Sequence, residues 1–300
     1  MKITITGANG FIGRRLVDLA DAEGHAVHLL LRQARPGLRP GTVYSIWNAM
    51  ENEPPLASLE GADAVIHLAG EPVAQRWTEE VKKKILKSRT VGTQRLVQAI
   101  SLTRERPRVL VCALAIGYYG SRGDELLTEK SHAGSDFLAD VCEQWEQAAE
   151  LATALGVRVV RLRIGMVLGR GGGALDQMLL PFRLALGGRL GTGEQWVSWI
   201  HVDDLARLAL AAATNEKFRG VVNGVAPNPA HNSDFTQALA VTLRRPAIFP
   251  IPGWALNLIF GEMSKILLAS QRVKPAMALA NDFAFSFPEL GPALRDLLKR

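Results

Sequence analysis

The chain has 300 residues, 48% apolar and 21% charged, and a formal net charge of +6. That composition excludes a fibrous or disordered protein and leaves room for one large α/β domain, or one with a smaller partner. Its two cysteines, Cys112 and Cys142, have neither disulfide-framework nor metal spacing, which predicts a reducing cytoplasm.

In chain order, KITIT reads as a strand, with no basic leader before it to mark a signal peptide. FIGRRLVDLADAEG reads as an amphipathic helix, HAVHLLLR as a second strand and TVYSIW as a third. ADAVIHLAG is nearly continuous in apolar residues, as a strand buried on both faces should be. A long helical pattern runs from about Glu79 to Leu102. It opens with the one dense basic run, EEVKKKILKSR. Val81, Ile85 and Leu86 occupy its other side, so a solvated helix face accounts for the charge. No zinc-finger, RNP or helix-turn-helix pattern accompanies it, so nucleic acid is not an expected partner.

A strand RVLVCAL, a helix SDFLADVCEQWEQAAELATALG and a strand VRVVRLR follow. Beyond Gly165 the pattern loosens into a glycine-rich stretch with one helix inside it, then the helix VDDLARLALAAAT. The most apolar late stretch, GWALNLIFGEMSKILLA, is interrupted by Glu262 and Lys265 and is too short and charged to span a bilayer. An alternating FAFSF and a last helix, PELGPALRDLLKR, end the chain. Strand–helix alternation with short loops predicts the fold class: α/β, a Rossmann doubly wound parallel sheet with a smaller C-terminal α+β part. The expected division is a Rossmann domain over residues 1–245, with substrate-side insertions after 165, and a small domain over 246–300.

Gly7, Gly10 and Gly13 form GxxGxxG between the first strand and the first helix. The first glycine turns the chain, the second permits a pyrophosphate to approach the backbone, and the third packs helix on sheet. Glycines at such turns also serve packing alone; the βαβ context points to a dinucleotide. An acid about 20 residues further on would bind the ribose of NAD. The second strand instead ends HLLLRQARPG, with Arg32 and Arg35. An arginine there suits the 2′-phosphate of NADP(H); an ordinary solvated strand-end arginine is the plainer alternative.

These stretches resemble the extended short-chain dehydrogenase/reductase superfamily, which contains the sugar-nucleotide epimerases and dehydratases. TGANGFIG resembles its phosphate loop, VIHLAG its fourth-strand motif, and AIGYYG and RIGMVLG its fifth and sixth strand ends. HLAGEPV, SRTVGTQRLVQAI, DFLADVCEQWE, VLGRGGGALDQMLLPFRLALGGRLGTG, WIHVDDLA, NGVAPNP and the ending QRVKPAMALANDFAFSFPELGPALRDLL resemble one atypical branch, labelled epimerase family protein or nucleoside-diphosphate-sugar epimerase. Position by position, the resemblance places Gly7, Gly10, Phe11 and Ile12 at the cofactor phosphates. It places Leu31 and Arg32 at the adenosine end, and Leu68, Ala69 and Gly70 along the cofactor's edge. Arg89 and Glu146 match further NADP-contacting positions.

The superfamily's usual catalyst is a Tyr-x-x-x-Lys pair with a Ser or Thr near the fifth strand's end. Alignment on Glu146 puts Leu138 at the Tyr and Cys142 at the Lys, and Leu114 stands where the branch usually has serine. Tyr118 and Tyr119 are the nearest phenols. His201 reads as a satisfied histidine, and Asp203 and Asp204 as helix caps. No GxSxG, HExxH or cysteine–histidine cluster offers other chemistry, and no metal is expected. The resemblance implies an NADP(H)-binding oxidoreductase or epimerase-like protein without the standard pair. Its substrate would be a small molecule, a phosphorylated sugar or nucleotide sugar, with Arg163, Arg183 and Arg189 as candidate phosphate ligands. The alternative is a non-catalytic NADP(H)-responsive regulator.

Overall fold

The computed structural model describes residues 1–34, 38 and 40–299; Arg35 lies outside them. The first half of the chain contains β1 (Lys2–Thr6), α1 (Phe11–Ala22), β2 (Ala26–Leu31), β3 (Val43–Ile46), β4 (Ala64–His67), α2 (Glu79–Leu102), β5 (Val109–Ala115), β6 (Leu126–Leu127) and α3 (Phe137–Glu150). The second half contains β7 (Arg158–Ile164), β8 (Met166–Leu168), α4 (Gly173–Arg183), β9 (Trp196–Val197), β10 (Trp199–His201), α5 (Val202–Thr214), β11 (Gly220–Gly224), β12 (Ala230–His231) and α6 (Asn232–Leu243). The chain ends with α7 (Gly253–Phe260), α8 (Ser264–Leu268), β13 (Arg272–Val273), α9 (Ala276–Ala280) and α10 (Leu290–Leu298).

Seven strands form one parallel sheet in the order β3-β2-β1-β4-β5-β7-β11. Alternating side chains feed two cores, as strands covered on both faces require. Val109 and Val111 of β5 pack with Leu16 of α1 and Leu205 and Leu208 of α5. Leu110, Cys112 and Leu114 pack with Leu96 and Ile100 of α2 and Trp145 of α3. A third cluster joins Phe182 of α4, Phe235 and Leu239 of α6, and Leu294 and Leu297 of α10. Short-range chemistry sets the helix starts: Thr78 accepts from Val81 N–H ahead of α2, and Asp136 from Ala139 N–H ahead of α3.

Two expectations change. The sequence pattern ended the sheet at VRVVRLR, but β11 adds an edge strand. Its buried Asn223 breaks the apolar run because it accepts a hydrogen bond from the hydroxyl of Tyr119, at 2.7 Å. Asp203 and Asp204 are not the caps of α5. His201 is: its Nδ1 accepts from Asp203 N–H. Asp203 pairs with Arg15. Asp204, fully buried, accepts from the N–H groups of Ser286 and Phe287 and from Arg207. That clamp holds FAFSF extended across α5, where Phe283 and Phe285 reach the first core and Phe287 stacks on His201.

One buried chain of hydrogen bonds crosses the sheet. Thr6 Oγ1 accepts from Leu68 N–H and Ala69 N–H, 3.1 Å each, and lies 2.7 Å from His67 Nδ1. His67 Nε2 lies 3.2 Å from Thr93 Oγ1, which also accepts from Trp145 Nε1, at 2.9 Å. Both lone pairs of Thr6 are taken, so its proton goes to Nδ1 and His67 carries its own proton on Nε2. Burial pushes the His67 pKa from 6.5 down to about 4. The unfolded chain therefore binds a proton here that the folded chain refuses. His67 costs no stability above pH 6.5, and stability falls as pH drops from about 6.5 to 4, by roughly 1.4 kcal/mol per unit from this residue. Urea unfolding at stepped pH should show that loss, and the His67 ring resonances should not titrate above pH ~5. Flat stability across the window with a ring that titrates normally would contradict the assignment.

Candidate functional site

The order of the sheet reverses direction between β1 and β4, since β2 lies to one side and β5 to the other. In open α/β sheets, ligands bind beyond the strand ends at such a switch point. The loops that leave β1 and β4 meet there. Gly7 has φ +67°, and a Cβ on it would stand 2.8 Å from the carbonyl carbon of Leu68. A Cβ on Gly13 would stand 2.3 Å from Gly7 O, so α1 seats directly on the turn. Both glycines are required by packing. Gly10 differs. Its φ of −70° suits any residue, it is exposed, and a Cβ there would meet one atom, Gly7 O, at 3.1 Å. What a side chain at Gly10 would fill is the space in front of α1. That helix starts with no side-chain cap on its first N–H groups, the arrangement at a helix start that favours an anion.

Phe11 packs its ring into a cradle of Gly169, Gly172 and Gly173, fixing the glycine-rich stretch beside the loop. Ile12 lies half-buried against the first core. Leu68 and Ala69 are held by Thr6, and Gly70 is exposed at the edge of the crevice. The Arg89 guanidinium lies against Gly70, 3.5 Å from where a Cβ would be, over the Trp145 ring, and donates to Glu71 O and Ile85 O through Nη1. Leu31 is buried in the core, which leaves only its backbone to the site; Arg32 is exposed at the end of β2.

Glu146 is not at the surface. It is 5% exposed, and its two oxygens accept from Arg163 Nε (2.6 Å) and Nη2 (2.9 Å). Arg163 also donates to Tyr119 OH and stacks 3.4 Å from the Tyr118 ring centre. Burial opposes the Arg163 charge, but Glu146 and Tyr119 outweigh it and hold its pKa above the ordinary value. This takes Arg163 out of the phosphate-ligand set. It also takes Tyr119 out of contention as proton carrier: the phenol is fully buried with both bonds in use, and burial raises its pKa. Nothing in the sequence joins residues 146 and 163, which meet only when α3 packs on β7. Arg183 is exposed at the end of α4, and Arg189 lines a hollow beside α6.

Leu138 and Cys142, the residues that the alignment on Glu146 sets at the superfamily pair, face the turn after β5. A Cβ on Gly117 would lie 3.3 Å from Leu138 and 3.8 Å from Cys142 Sγ. Burial pushes the Cys142 thiol up to about 12. Leu114 points into the second core against Trp145 and Cys112, so a hydroxyl at that position would enter apolar packing. The segment after α7 closes over this region: Lys82 of α2 pairs with Glu262, and Trp77 and Lys82 both pack on Phe137. Among the described residues, no cluster of metal-ligating side chains occurs and no helix is long and apolar enough to cross a membrane.

Residues 3–223 match the model of the NAD dependent epimerase/dehydratase family, and residues 251–297 match a domain of unknown function, DUF1731. The chain is 41% identical to the "Epimerase family protein SDR39U1 homolog, chloroplastic" of Arabidopsis thaliana, covering 100% of this chain and 87% of that protein. It is 39% identical to the Homo sapiens epimerase family protein SDR39U1, covering 99% and 100%. The crystal structure of human epimerase family protein SDR39U1 (isoform 2) with NADPH superposes with a TM-score of 0.89 at 37% identity, over the full length of both chains. A βαβ glycine turn at the sheet's switch point, a family match over residues 3–223 and full-length relatives in two kingdoms agree: this chain belongs to the NAD-dependent epimerase/dehydratase family.

Proposed function

We propose that the protein binds NADP(H) across the β1–β4 crevice and acts as an epimerase-like oxidoreductase on a small phosphorylated sugar or nucleotide sugar, without the Tyr-x-x-x-Lys pair. The observation that carries this is Gly10. Its φ asks for no glycine and a Cβ there would press on a single atom, Gly7 O at 3.1 Å, so what its missing side chain chiefly leaves open is the space in front of an uncapped helix. The pyrophosphate lies over Gly7 and Gly10, on the backbone N–H groups of Phe11 and Ile12. Leu31 and Arg32 take the adenosine end, with Arg32 on the 2′-phosphate. Leu68, Ala69 and Gly70 border the cofactor's edge, and Arg89 faces it from α2. Glu146 acts from below, by fixing Arg163 and through it Tyr118 under the cleft floor. When bound, NADP(H) supplies or takes a hydride.

The substrate enters between the sheet's C-terminal edge and the last part of the chain, and residues 246–300 serve as the small domain beside a Rossmann unit of residues 1–245. The two buried free cysteines fit a reducing compartment such as the cytoplasm. A second reading, that the protein is a non-catalytic NADP(H)-responsive regulator, draws on Leu138 and Cys142: an aliphatic side chain and an un-ionised thiol cannot move a proton at neutral pH.

NADPH should bind more tightly than NADH, and Arg32→Ala should erase most of that preference, a loss of about 1–3 kcal/mol for a charge-assisted contact; calorimetry with both nucleotides decides, and equal affinities in the wild type reject the assignment. Gly10→Val should stay folded by circular dichroism and melting, and lose NADPH binding. Normal binding by the folded variant would reduce the loop to a packing turn.

A further inference from the structure

We infer that the protein carries a second ligand site, for a phosphate-bearing molecule with an apolar portion, in the hollow between α6 and residues 244–248. The hollow measures about 660 Å³ and is lined by three arginines, Arg189, Arg244 and Arg245, with no acidic residue among its lining. None of the three guanidiniums has an ion-pair or hydrogen-bond partner among the described residues. All three are exposed at one hollow and carry the same sign, so an anion placed there is attracted by each of them. Arginine is the side chain best shaped for phosphate oxygens.

Three further features point the same way. Arg244 caps α6 at φ +54°, in the left-handed region where glycine is the usual residue. An arginine kept there puts a guanidinium at the rim against the backbone's own preference, and such residues gather at binding sites. Thr236, 4% exposed and lining the hollow, has an Oγ1 with no hydrogen-bond partner among the described residues. Finally, Val241 and Ile248, 69% and 74% exposed, border the arginines and give the hollow an apolar wall. Arg189 reaches it from the far side: its stem lies along Gly193, whose Cβ would be 3.2 Å from Arg189 Cδ. The lining shares no residue with the β1–β4 crevice.

The phosphate chemistry has two sources, a soluble phosphate ester or the headgroup of an anionic lipid. The test titrates the full chain with decyl phosphate, and separately with vesicles of phosphatidylglycerol or of phosphatidylcholine alone. It repeats both on Arg189→Gln/Arg245→Gln and on Arg244→Gly, a variant that eases the cap and so keeps the fold. We expect the wild type to bind decyl phosphate or the phosphatidylglycerol vesicles, and not phosphatidylcholine. Each variant should lose at least tenfold, with its NADPH affinity unchanged. Binding of the soluble ester assigns a small-molecule site, and binding of vesicles alone a membrane-surface site. No binding by the wild type, variants that bind as well as it does, or a parallel loss of NADPH affinity would overturn the proposal. The NADPH control is independent of the hollow, so failure here leaves the crevice reading standing, and the reverse.

Discussion

The structure depends on the hydroxyl of Thr6. One oxygen at the end of the first strand holds the backbone of the β4 loop through Leu68 and Ala69 and hands its proton to His67. His67 passes the connection to Thr93 on α2 and so to Trp145 on α3. Polar groups buried this deeply are costly unless every member is satisfied, and here each is. The consequence is rigidity at the place where rigidity is useful. The two loops that frame the crevice cannot drift apart without breaking bonds that no water can replace.

On that floor the glycines divide their work. Gly7 and Gly13 let β1, α1 and the β4 loop approach more closely than side chains allow. Gly10 contributes emptiness. Beneath the neighbouring strand ends, Glu146, Arg163, Tyr119 and Asn223 form a second satisfied network, tying α3 to β7, β11 and the turn after β5. The polar chemistry near the cleft is thus spent largely on holding positions. On the alignment anchored at Glu146, the positions at which the wider superfamily moves protons fall on Leu138, Cys142 and an inward-facing Leu114.

The parts of this molecule that sequence reveals are those written in local chemistry. The glycine turn, the buried strands and the helices are legible because glycine spacing and apolar period act over a few residues. The basic run on α2 is legible for the same reason. Long-range pairings are not. Glu146 reads as a solvated helix charge, and only packing of α3 on β7 brings Arg163 to it. Asp204 reads as a cap because it opens a helix; its partners, Ser286 and Phe287, lie 82 and 83 residues away. β11 is not legible because three strand residues between glycines, one of them a buried asparagine, carry almost no periodic signal. The hollow beside α6 draws its arginines from segments 55 residues apart.

The central claim is a complete dinucleotide site beside a reaction centre with no proton-transfer pair. Its most direct test is NADP⁺ reduction by the wild-type protein across a panel of alcohols and nucleotide sugars, alongside a superfamily enzyme that has the Tyr–Lys pair. The account predicts saturable NADPH binding with turnover on the order of 10²–10⁴-fold below that enzyme on every compound, the usual contribution of general acid–base catalysis. Turnover that matches the reference enzyme on any of them would contradict it, and would point to Tyr118 as the group that carries the proton.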